Sequence, residues 1–190
     1  MSQSNSYTNK PDLHKYNFRQ SIGKSEKEIA RLSDEIDALI NLKNKIRKGA
    51  DGEDYDMLNR AVSDLSRYII VRCCGHLEYL LREIVLCHSK IRASDPIVKY
   101  IEKIDPSNRG AKPDADRINV IIELFSPEAV KAELLDYIGD SDNGSAIKSI
   151  ISLRNKIAHG ESESSTATKA KQYAQFTIDT SKKISQKIMG

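Results

Sequence analysis

Arg154, Asn155 and His159 stand in one short run, Arg154-Asn155-Lys156-Ile157-Ala158-His159-Gly160, and their side chains together can bind a phosphate and move a proton. Arginine presents a permanently charged fork of donors to phosphate oxygens. Histidine changes protonation near neutrality and so serves as acid or as base. Lys156 adds a second cation, and Asn155 an amide able to orient an imidazole or a phosphate. Spacing imposes a limit, because residues five apart lie roughly 140° apart around an α-helix and about 7.5 Å along it. Arg154 and His159 therefore share no face of an ideal helix, and they converge only if the arginine bends round or the helix loosens at its end. Gly160 supplies such an end, since glycine adopts the left-handed cap conformation at little steric cost. Taken alone, the run also fits a surface arginine and a helix-end histidine stabilised by the helix dipole.

The helix that carries this run is expected over Ser145 to His159, with Ile147, Ile150, Ile151, Leu153 and Ile157 supplying its apolar contacts. Upstream, residues 1–22 are rich in Ser, Asn, Lys and Gln and read as a flexible arm, with 23–190 as the folded domain. Ile29, Leu32, Ile36, Leu39 and Ile46 mark a helix from Ser25 to about Lys48 with a narrow seam. A longer one, about Glu53 to Ile91, buries Leu58, Ile69, Cys73, Leu80, Ile84 and Cys87 and forms the central mast. Asp95-Pro96 starts a short helix to Ile104, and a loop runs from Asp105 to Pro113. Asp114–Phe125 and Ser126-Pro127-Glu128 to Gly139 are two further helices, followed by a turn at Asp140–Gly144. Ala167 to Ile188 is the last helix, with Ala170, Tyr173, Ala174, Thr177, Ile178, Ser181 and Ile184 inward. No segment alternates as a strand, so the fold expected is an all-α antiparallel bundle around one long helix.

Composition narrows the function classes. The net charge of +3 creates no strong global field, so an RNA site would have to be a local patch. Three cysteines form no paired framework, no leader opens the chain, and apolar runs such as Tyr68–Val71 are far too short to span a membrane. A reduced, cytoplasmic protein is the expectation. Cys73, His76, Cys87 and His88 do not suggest a metal site, because the two pairs lie about 16 Å apart along one helix. No glycine-rich phosphate loop or zinc-protease helix is present, and no cofactor is expected.

An arginine, a polar residue, a short spacer and a histidine near the end of a late helix resemble the signature of the HEPN superfamily. With Ala158 and Gly160 flanking the histidine, the run is most similar to the RiboL-PSP-HEPN branch. The order of the remaining elements agrees over roughly residues 55 to 188: a long helix with Cys73, His76, Leu77, Glu78 and Tyr79, then Arg117 to Phe125, then the motif, then an amphipathic segment. The resemblance implies a homodimer that pairs two motifs into one metal-independent endoribonuclease, a toxin or anti-phage effector held in check by an inhibitory or sensor partner. Arg154, His159 and Asn155 are then the catalytic candidates, with Glu78 and Lys156 supporting them. Cleavage would proceed by attack of the 2′-hydroxyl of RNA, leaving 2′,3′-cyclic phosphate and 5′-hydroxyl ends. Related toxins silenced by a nucleotidyltransferase carry a tyrosine two residues after the histidine, where this chain has Glu161, so that route of control is not expected. Two alternatives remain: a non-catalytic RNA- or nucleotide-binding module, and an interaction scaffold in which the 25–48 helix pairs with another chain.

Overall fold

A computed structural model describes residues 10–46, 52–94, 96–98, 101, 113–161 and 166–190. Among these the long elements are helices: α1 (Lys10–Ile46), α2 (Gly52–Arg92), α3 (Ala115–Phe125), α4 (Glu128–Gly139), α5 (Ser141–Ala158) and α6 (Ala167–Met189). The short helix expected to end at Ile104 is described only at 96–98 and 101, and the loop before Pro113 lies outside the described residues.

Two expectations need correction. Residues 10–22 are not a loose arm but the first turns of α1, and the structure buries Phe18 and Ile22 in the core. Polar composition hid this, because only one edge of those turns is apolar and it packs against the far end of the chain. Lys15 reaches the Gly190 carbonyl and Arg19 the Met189 carbonyl, each at 3.2 Å. The second correction concerns the turn at Asp140–Gly144. Asp140 alone separates α4 from α5, and its carboxylate accepts the N–H groups of Asp142 and Asn143, so the helix starts at Ser141. An aspartate at the N-cap satisfies donors that helix geometry otherwise orphans.

α2 is the mast, packed against α1, α3, α5 and α6. Pairings between side chains fix the sense of packing: Ser21 meets Tyr79, Ser25 meets His76 and Glu28 meets Arg72, so numbers rise along α1 as they fall along α2. α6 likewise runs antiparallel to α1, with Glu26 accepting from Ser181 and Asp37 from Lys171. Ala170, Ala174, Thr177 and Ser181 give α6 a narrow buried edge that lets its neighbours approach closely. The seam of α1 is used in this way: Ile29 and Ile36 are wholly buried within this chain. It is therefore not open to a second chain, and the coiled-coil scaffold loses its surface.

The motif helix is seated by Ile147 and Ile150, both fully enclosed, and by Ile151. Burying an isoleucine side chain is worth about 1.5–3 kcal/mol. This anchors the N-terminal two-thirds of α5 on α2, and leaves its last turn to carry polar groups.

Candidate functional site

The site is built where α5 leaves the core. Asp140 caps the helix at one end, and Gly160 ends it at the other with a φ of +73°. Gly160 N–H donates to the Ile157 carbonyl at 3.1 Å and Glu161 N–H to the Lys156 carbonyl at 3.0 Å. That pair of bonds around a left-handed residue is the Schellman arrangement. His159 is consequently the last residue before the reversal, at φ −87° and ψ 5°, with its N–H still donating to the Asn155 carbonyl. Ala158, His159 and Gly160 are all exposed. The imidazole makes no hydrogen bond or ion pair among the described residues.

Arg154 is held differently. Its Nη1 donates to Asn155 Oδ1 at 3.1 Å, and its Nη2 lies 3.5 Å from Glu78 Oε1 on α2. The Arg154 side chain is 36% and the Glu78 side chain 28% exposed, so the pair is about one-third open to solvent. A carboxylate behind a guanidinium restricts its rotation while leaving donors for an incoming phosphate. The structure thus brings together Arg154, Asn155 and Glu78. His159, on the same helix end, makes no hydrogen bond or ion pair to them. Lys156 is half-buried and engaged in an interaction of its own.

Sequence reasoning missed one member of this cluster, Cys74, one helical turn before Glu78. Its thiol lies 3.9 Å from Glu78 Oε1. Burial, with the nearby Glu78 carboxylate adding to it, pushes the Cys74 thiol up to about 12. The sulfur therefore stays protonated and can donate to Glu78 instead of acting as a nucleophile. The i, i+4 spacing on α2 was the available signal. Cys73 is likewise pushed up to about 12 by burial.

The neighbouring polar residues of α2 serve the α1 interface. Arg72 donates to Glu28 at 2.6 Å. His76 Nδ1 lies 2.8 Å from Ser25 Oγ, and burial lowers its pKa to about 4, with the Arg72 charge contributing. His76 is thus a neutral core histidine. Among the described residues no group of three or more His, Cys, Asp or Glu could hold a metal ion, and no helix is long and apolar enough to cross a membrane.

Compared with known proteins, the chain matches no curated protein and no solved structure. One family model does match it, over residues 30–190, which include α2, the motif helix and α6. With the all-helical bundle and a match over most of its length, the chain belongs to the RiboL-PSP-HEPN family.

Proposed function

We propose that the protein is an endoribonuclease acting by metal-independent transesterification, with an active site completed by a second copy of the chain. The observation that carries this reading is the Glu78-braced Arg154 beside Asn155, with an exposed His159 pinned at the same helix end. Arg154 would hold the scissile phosphate and the charge that develops on its oxygens. His159 would take the proton of the 2′-hydroxyl as the new 2′-oxygen to phosphorus bond forms. The bond from phosphorus to the 5′-oxygen breaks, and that oxygen takes up a proton, leaving a 2′,3′-cyclic phosphate and a 5′-hydroxyl.

One imidazole cannot be base and acid in the same step. The exposure of Ala158, His159 and Gly160 supports the dimer, since a second motif can approach there and supply the acid. The family resemblance supports a role as a toxin or anti-phage effector restrained by a protein partner.

The test is cleavage of a labelled RNA in the presence of a chelator. The parent should cut and leave cyclic phosphate ends. His159→Ala and Arg154→Ala should each be slower by about 10²- to 10⁴-fold, the usual worth of a positioned acid–base or charge-stabilising group. Cleavage abolished by the chelator, or undiminished in His159→Ala, would overturn the mechanism. RNA bound tightly but never cut by the parent would favour the non-catalytic binding module.

A further inference from the structure

The family match begins at residue 30, yet α1 begins at Lys10, so about five turns of this helix lie outside the matched region. Their solvent face is chemically one-sided. Every exposed position from Tyr16 to Arg31 is neutral or cationic, and Arg19, Lys24, Lys27 and Arg31 are the charged ones. The two carboxylates in the same stretch are each engaged by a neighbouring helix: Glu26 accepts from Ser181 on α6 at 2.8 Å, and Glu28, its side chain 37% exposed, pairs with Arg72 on α2 at 2.6 Å. Arg31, at the far end, pairs with Glu35 one turn on. Lys24 and Lys27 make no ion pair or hydrogen bond among the described residues.

The four cations fall within an arc of about 140° and span about 18 Å from Arg19 to Arg31. Arg19, Gln20, Ser21, Gly23, Lys24 and Lys27 line an open depression of about 530 Å³, and a side chain at Gly23 would meet nothing within 4 Å. Tyr16, 58% exposed, lies on the same arc. A cationic track beside an exposed aromatic ring fits single-stranded nucleic acid, whose phosphates it neutralises and whose bases it stacks.

Position links the track to the motif. Ser21 and Ser25 touch Tyr79 and His76 of α2, the residues flanking Glu78, which holds Arg154. The stripe therefore lies at the same height along α2 as the candidate site, and Glu78 stands round that helix from His76 and Tyr79, on its side towards α5. We propose that this face of α1 is a docking track for the backbone of single-stranded RNA, and that it carries the strand whose scissile phosphate enters the motif. The track rests on the reading of the protein as an RNA-cleaving enzyme.

The experiment measures binding of a labelled, unstructured RNA by the full chain as a function of salt, together with cleavage of that RNA and of a dinucleotide. Lys24→Gln/Lys27→Gln should lower the slope of log affinity against log salt by about 1.4, because each phosphate neutralised on a single strand accounts for about 0.7. Lys43→Gln/Lys45→Gln, at the other end of α1, should leave the slope unchanged. A dinucleotide has one phosphate and cannot occupy motif and track together, so its cleavage should be the same in the Lys24/Lys27 variant and the parent. An unchanged slope in Lys24→Gln/Lys27→Gln, an equal fall in the control pair, or no RNA binding by the parent would overturn the track. A lowered slope in a protein that cuts neither RNA would support the track and refute the nuclease.

Discussion

Gly160→Ala separates the turn that ends the motif helix from the side chains proposed to cleave RNA. Gly160 sits at φ +73°, and an added Cβ would meet no atom within 4 Å, so the change introduces no clash. Its effect is confined to the backbone. Holding an L-residue in the left-handed region costs about 1–2 kcal/mol. The stiffer unfolded chain offsets about 0.4–1 kcal/mol of that. A net loss of about 1 kcal/mol remains, which for a chain of this size lowers the melting temperature by about 2–4 °C. If the variant instead abandons the left-handed turn, the Gly160 and Glu161 bonds to α5 break and His159 is no longer pinned. Urea unfolding followed by helical circular dichroism, at unchanged m-value, measures the first effect; single-turnover RNA cleavage measures the second and should fall at least tenfold, by displacement of a reacting group. Gly160→Asn is the internal control, because asparagine tolerates the left-handed region better and should recover part of both. An alanine variant as stable and as active as the parent would refute the reasoning, as would an asparagine variant no better than alanine.

Glu78→Gln removes the charge behind Arg154 while keeping its shape. The pair is about a third exposed, so stability should change by less than about 1 kcal/mol, while kcat for RNA falls roughly ten- to a hundredfold through a less restrained guanidinium. Unchanged kcat with a large loss of stability would make Glu78 purely structural. His76 should make the fold acid-sensitive. Burial lowers its folded-state pKa from 6.5 to about 4, so in that window the unfolded chain binds a proton that the folded chain does not. Stability present above about pH 6.5 is lost as the pH falls towards 4, by up to about 3 kcal/mol. Urea midpoints at pH 7.5, 6 and 5 should show a steeper decline for the parent than for His76→Gln, and parallel declines would show that another group is responsible.

Much of the architecture was legible because it rests on local rules. Ile147, Ile150, Ile151 and Ile157, with separations of three, four and seven among them, announced a helix with one buried side, and Gly160 announced where it stops. Asp114 before α3 and Pro127 before α4 marked helix starts in the same way, and the structure places both at the N-cap, where Asp114 accepts from the Arg117 N–H and Pro127 makes no side-chain bond. Where the local signal was mixed, the reading erred. Phe18 and Ile22 belong to a stretch whose other residues are polar, and nothing within ten positions shows that residues 170 positions away receive them.

The candidate site divides along the same line. The sequence by itself determined which groups α5 carries, the angle between Arg154 and His159, and the glycine that ends the helix, because each follows from the pitch and capping of a single helix. Only the tertiary structure decided that Glu78 and Cys74, on another helix, stand beside Arg154, and that Glu26 and Glu28 are engaged by Ser181 and Arg72, which leaves Lys24 and Lys27 of α1 without a carboxylate partner among the described residues. Those pairings depend on the register at which packed helices meet. Register is set by the fit of many side chains across the whole interface and is written in no single segment.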